Sequence, residues 1–179
     1  FCVPTLSEII QLVHEENERS GKKIGIYPET KHPTYFQHEG KHLDGTAIAI
    51  SLNELLLQEL INNQLADPNR VFIQSFEIQN LIELKQKLMP DAGLNIPLVQ
   101  LIGNNEAGIN TENTNFYQPY DWVYNQQQDH DLNTIYPQLS SVLQLSPESN
   151  YQALTQERVL PWVKQYASSI GPWKNNLYG

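Results

Sequence analysis

Val71-Phe72-Ile73-Gln74-Ser75-Phe76, then residues 77–88 with Ile78, Leu81, Ile82 and Leu88 at helical spacing, then Pro97-Leu98-Val99-Gln100-Leu101-Ile102: this stretch decides the fold class. Two short apolar runs rich in β-branched and aromatic residues flank one amphipathic helix. The same alternation continues on either side, which argues for βα units and a parallel sheet.

Upstream, Lys22–Glu29 reads as a short strand stopped by Pro28. Pro33 and Gly40 bracket an irregular loop, and a long helix is expected from about Gly45 to Asn63, with Ile48, Leu52, Leu55, Leu56 and Leu60 at helical spacing. Asp67-Pro68-Asn69 is a turn. At the start, Thr5 followed by Glu8 forms a capping box that opens a helix running to about Ser20, where Gly21 ends it.

Downstream, residues 103–150 are rich in Asn and Gln and show little periodicity, so they read as a polar insertion. Phe116, Tyr117, Tyr120, Trp122 and Tyr124 are expected to pack its middle onto the rest. Helical spacing returns at residues 151–167, and Ser169–Trp173 reads as a fourth strand. The expectation is therefore one α/β domain over residues 1–179, a partial (β/α)8 TIM barrel of about four parallel strands with interleaved helices. The alternative is a small open α/β sheet. Neither a dinucleotide fingerprint nor a P-loop follows any strand, so nucleotide chemistry has no support.

Composition excludes several function classes. Eleven basic against twenty acidic residues give a net charge of −9, with no basic stripe to track phosphates, which argues against nucleic acid. Nothing approaches the roughly 20 apolar residues of a membrane span. Cys2 is the single cysteine, so neither an intrachain disulfide nor a thiolate metal cluster is available. No basic run followed by an apolar stretch and cleavage site is present, so no signal peptide is expected, and Phe1 ahead of a helix cap reads as a processed or cut start.

Glu29 and Lys31 stand just past the C-terminal end of the first expected strand, on the rim where parallel barrels build active sites. Two residues apart in extended chain, their side chains share a face. A carboxylate there suits a divalent cation and an ammonium suits a phosphate oxygen; a surface ion pair is the structural alternative.

Around that pair lies an ordered set of motifs: Val3-Pro4-Thr5-Leu6-Ser7-Glu8, Lys23-Ile24-Gly25-Ile26-Tyr27-Pro28-Glu29-Thr30-Lys31, Gln37-His38-Glu39-Gly40-Lys41 and Ile73-Gln74-Ser75-Phe76. Leu98-Val99-Gln100-Leu101-Ile102, Tyr120-Asp121-Trp122 and Tyr166-Ala167-Ser168-Ser169-Ile170-Gly171-Pro172 complete it. In this order they resemble the periplasmic branch of the glycerophosphodiester phosphodiesterases over most of residues 1–173. The resemblance implies hydrolysis of glycerophosphodiesters to glycerol 3-phosphate and an alcohol, within glycerol and lipid metabolism, with a calcium or magnesium ion and a periplasmic or secreted location. It implies catalytic roles for Glu29, as a ligand of the cation, and for Lys31, near the substrate phosphate. Gln74 would line the substrate pocket, and Trp173 would wall the glycerol or alcohol moiety.

The departures are as informative. The family's histidine-arginine pair, the acidic pair completing the metal site, the second histidine and the aspartate near the final strands have no counterpart here. One carboxylate binds a hard cation poorly, so the chain reads as the central segment of such an enzyme and as inactive alone. Two other readings stand beside this one. A non-catalytic barrel remnant would assemble with copies of itself, a homo-oligomer covering the open edges. A zinc metallopeptidase would use His38-Glu39-x-x-His42, which matches the zincin motif in a helix-poor place. Glu112-Asn113-Thr114 echoes a family tripeptide in the wrong context. His14, expected to face outward, His32 and His130 align with no family catalytic histidine.

Overall fold

The computed structural model describes residues 2–104 and 117–177, except the side chain of Asn175. Glu112-Asn113-Thr114 and Phe116 lie outside these residues. The first helix, α1 (Leu6–Ser20), begins as its capping box requires: Glu8 N–H donates to Thr5 Oγ1 at 3.2 Å and Thr5 N–H to Glu8 Oε2 at 2.6 Å. It ends at Gly21, held in the left-handed region with φ 68°. The helix docks through Ser7, whose hydroxyl donates to Asn63 Oδ1 at 2.9 Å. His14 does not face outward; its Nε2 sits 2.8 Å from the Asn63 carbonyl.

A parallel sheet follows, in the order β1 (Ile73–Ser75), β2 (Leu98–Ile102), β3 (Ser169–Pro172), with Ser75 opposite Gln100 and Gln100 opposite Ile170. The first expected strand is present only as two parallel bridges, Ile26 to Val71 and Glu29 to Gln74. The hydrogen bonds explain why. Ile26 N–H donates to Arg70 O at 2.8 Å, Phe72 N–H to Ile26 O at 3.2 Å, Gln74 N–H to Pro28 O at 3.0 Å and Thr30 N–H to Gln74 O at 3.1 Å. One rung is missing from this ladder, and it is the one for which Pro28 has no N–H.

The helix expected from Gly45 begins only at Leu52 and runs as α3 (Leu52–Asn62), with Ser51 Oγ accepting Glu54 N–H at 3.2 Å. Apolar spacing extended the expectation too far back. Gly45 and Ala49 have φ of 87° and 48°, outside helical space, and Asp44 Oδ1 accepts Thr46 N–H at 2.9 Å in a competing turn. Before it lies the short α2 (Pro33–His38). The helix after β1 starts as α4 (Ile78–Glu83), widens into a π-helical turn at Leu84–Leu88 and finishes as α5 (Met89–Asp91).

Much of the Asn/Gln-rich stretch is ordered into α6 (Tyr120–Gln127), α7 (Leu132–Ile135) and α8 (Pro137–Ser140). The short helices α9 (Gln152–Thr155) and α10 (Leu160–Val163) follow, and buried aromatics tie the stretch to α10. Trp122 packs on Tyr136 at 6.3 Å, Tyr136 on Trp162 at 6.1 Å and Trp162 on Tyr166 at 5.1 Å between ring centroids. The result is an α/β architecture, a three-stranded parallel sheet with interleaved helices.

Alternation along the strands separates the two sheet faces. Ile73, Ser75, Leu98, Gln100 and Ile102 are buried beneath helices in the same core as Leu56, Leu60, Leu81 and Leu154. On the opposite face Tyr27 and Phe72, in edge-to-face contact at 6.4 Å, stay 49% and 44% exposed. Among the described residues no helix is long and apolar enough to cross a membrane.

Candidate functional site

Parallel strands present their C-terminal ends on one rim, and Glu29 stands there because the bridge to Gln74 sets its register. Its carboxylate is half-buried, and Oε1 is buried without a hydrogen-bond partner. Gln74, on the same face, donates through Nε2 to Tyr27 O at 3.1 Å. Glu29 and Gln74 are thus brought together.

Lys31 is exposed and forms no ion pair with Glu29; among the described residues the one ion pair is Arg19 with Glu16 at 2.7 Å. Trp173 follows the end of β3, half-buried, its N–H donating to Ile102 O at 2.8 Å. It lies on the same rim at the opposite edge of the sheet.

The chain after Glu29 is fastened to the turn between β1 and α4. Thr30 O accepts the Ser75 hydroxyl at 3.2 Å, and the buried Thr30 hydroxyl donates to Asn80 Oδ1 at 2.9 Å. Glu77 N–H donates to Ser75 Oγ at 3.2 Å, while Glu77 Oε2 accepts both the N–H of Thr34, at 3.1 Å, and its hydroxyl. Glu77 Oε1 is buried without a partner. Burial, then the neighbouring Asp121 charge, push the Glu77 carboxyl up to about 8, against the Thr34 bonds, which favour the anion.

Asp121 is buried as well, with four donors on it: Ile78 N–H at 2.9 Å, Gln79 N–H at 2.7 Å, Trp122 N–H at 3.1 Å and the Tyr136 hydroxyl at 3.1 Å. Burial raises its carboxyl too. Between two close buried carboxyls the proton belongs on Glu77, since the donors around Asp121 stabilise its anion. The Tyr151 phenol, whose hydroxyl donates to Phe76 O at 3.4 Å, is held well above its ordinary range, by burial first and then by the neighbouring acidic groups.

The His38-Glu39-x-x-His42 reading loses its geometry. The helix ends at His38, Glu39 is its C-cap with φ −121°, and His42 lies in a turn where its N–H donates to Thr46 O at 2.8 Å. A zincin needs both histidines on one helix face, and this helix ends before His42 is reached. His38 stacks on Tyr124 at 5.2 Å, and Glu39 Oε2 accepts the Tyr120 hydroxyl at 2.5 Å. Among the described residues no three His, Cys, Asp or Glu side chains converge to hold a metal ion.

Sequence reasoning missed Thr34, Glu77, Asn80 and Asp121. One signal was available for Glu77: an ionisable residue directly after the 71–76 strand belongs to the same rim as Glu29.

No family model matches the chain. Over 102 residues, 57% of its length, it is 29% identical to a Haemophilus influenzae protein named glycerophosphodiester phosphodiesterase, covering 26% of that protein. A Treponema pallidum protein of the same name is also 29% identical over 102 residues, again with 26% covered. An Arabidopsis thaliana glycerophosphodiester phosphodiesterase is 25% identical over 99% of the chain, which spans 37% of that relative. The chain therefore spans between 26% and 37% of the length of these curated relatives. Together with the ordered motifs, these similarities make the chain a relative of the glycerophosphodiester phosphodiesterases over part of their length.

Proposed function

We propose that the chain is a segment of a metal-dependent glycerophosphodiester phosphodiesterase that releases glycerol 3-phosphate and an alcohol. The supporting observation is Glu29: a rim carboxylate with one buried oxygen lacking a protein partner, in a chain whose relatives carry that name. A buried carboxylate oxygen without a donor is costly unless something cationic meets it, so Glu29 fits a ligand of calcium or magnesium. Hard cations take about six or more oxygens, so the remaining ligands come from outside this chain, which on its own is inactive.

A cation bound at Glu29 would supply Lewis-acid stabilisation of the phosphoryl oxygens. Lys31, exposed and unpaired, is free to meet a substrate phosphate oxygen. Gln74, beside Glu29, would line the substrate pocket, and Trp173 would offer an apolar wall to the glycerol or alcohol moiety. In this reading the three-stranded sheet with its bridged fourth member is the central part of a (β/α)8 barrel, in a periplasmic or secreted enzyme.

The test is hydrolysis of glycerophosphocholine by the full-length protein with and without Glu29→Gln. A loss of at least about 100-fold in kcat/KM, accompanied by weaker calcium or magnesium binding, is expected for a lost cation ligand. Unchanged hydrolysis in the variant would sink the assignment.

A further inference from the structure

Two of the helices around the rim are capped by residues that do not belong to them. Glu77 occupies the N-cap position of α4 yet makes no capping bond to that helix. The first turn of α4 is served instead by Asp121 of α6, through Ile78 and Gln79 N–H. The N-cap of α2 is His32, left-handed at φ 49° and without a side-chain cap of its own. That helix is served by Glu77, through Thr34 N–H and hydroxyl. The caps therefore form a relay: α6 closes α4, and the α4 N-cap residue closes α2.

Because α2 begins at Pro33, the relay fixes the chain a few residues after Glu29. Thr30, immediately after Glu29, is pinned to Gln74, Ser75 and Asn80. The segment carrying Glu29 and Lys31 is thus anchored at Thr30 and again at Thr34.

We propose that Glu77 is a positioning residue for Glu29: by holding Thr34 it sets the course of the rim segment, and so the aim of the cation-binding carboxylate. The inference rests on the reading of Glu29 as a cation ligand. It accounts for a choice that local capping does not explain. A side chain 2% exposed, with one unpartnered oxygen and a second carboxylate nearby, is an unfavourable way merely to start a helix. Its favourable partner is Thr34, which is 43 residues earlier in the chain.

The experiment is calorimetric titration of calcium and of magnesium into the full-length protein, read with thermal unfolding and glycerophosphocholine kinetics. Glu77→Leu is expected to weaken cation binding by about 10- to 100-fold, the range for residues that orient metal ligands. Thr34→Val, which removes one hydroxyl, should move affinity in the same direction by a smaller factor. Glu77→Gln keeps an oxygen for Thr34 and should retain wild-type affinity.

Should Glu77→Leu fail to fold, folded Thr34→Val decides: weaker cation binding supports the proposal, and a lowered Tm with unchanged affinity overturns it. Equal losses in Glu77→Gln and Glu77→Leu would also overturn it, since the Thr34 bond would then not be the cause. Unchanged affinity in Glu29→Gln instead strikes the underlying functional reading, which keeps the two failures distinct.

Discussion

Asp121 Oδ2 accepts the backbone N–H of Gln79 at 2.7 Å, so a residue 42 positions later in the chain closes the first turn of α4. The first N–H groups of a helix have no partner within it, and inside a protein they need one. Removing the carboxylate in Asp121→Ala strands the N–H groups of Ile78 and Gln79 together with the buried Tyr136 hydroxyl. A loss of about 3 kcal/mol is expected for several buried donors left unmade. Urea unfolding should show it as a lower midpoint, with Asp121→Asn, whose amide oxygen still accepts, intermediate. Wild-type stability in Asp121→Ala would refute the capping account.

Glu77 gives the fold a pH dependence of definite sign. Its carboxyl titrates at about 8 in the folded chain against an ordinary value of 4.5. Below pH 4.5 both states are protonated and the group's contribution is fully present. As pH rises toward 8 the unfolded chain ionises and the folded one does not, so stability falls by at most about 1.4 kcal/mol per pH unit. The neighbouring charges that act on Glu77, Asp121 first and then Glu39, are both acidic and do not oppose this. Glu77→Gln should flatten the slope of unfolding free energy between pH 5 and about 8.5. Parallel curves for variant and wild type would rule this assignment out.

Two glycines should respond very differently to alanine. A Cβ on Gly25 would sit 2.1 Å from the Arg70 carbonyl oxygen, in a stretch where the Arg70 guanidinium also grips Ile24 O at 3.1 and 2.9 Å. Backbone on both sides leaves little room to yield, so Gly25→Ala should cost about 3 kcal/mol, as in overpacked sites. Gly21 at φ 68° has nothing within 4 Å of its would-be Cβ, so Gly21→Ala pays only conformational strain. That is about 1 kcal/mol. Thermal unfolding of both variants should rank Gly25→Ala well below Gly21→Ala; the reverse order would contradict the close approach.

What the sequence made legible was local or periodic. The Thr5–Glu8 capping box needs residues three apart, and its geometry came out as read. The runs at 97–102 and 169–173 became β2 and β3; for the first, an apolar, β-rich stretch bounded by turns leaves few options. The start of α3 was misjudged because Ile48 kept the helical spacing, while Ser51 and the positive φ of Ala49 set the true boundary. In the candidate site, Glu29 stood out by its motif and Gln74 by its strand, and the structure brings these two side by side. Glu77 offered one signal, its place directly after the 71–76 strand, but its action and that of Asp121 on helices more than 40 residues away lay beyond any spacing rule.

Pro28 divides the edge beside β1 into two separate bridges, and this sets how that edge opens. The amides of Ile26 and Thr30 are each held by a single interstrand bond, with no protected amide possible between them at Pro28. Hydrogen exchange at Ile26 can therefore proceed through local release of the chain before Pro28, while Thr30, tied also to Ser75 and Asn80, and the amides of Leu98–Ile102, flanked by β1 and β3, exchange through larger openings. Pro28 thus acts as a joint: the chain before it can loosen while Glu29, next to the fastened Thr30, stays seated on the three-stranded core.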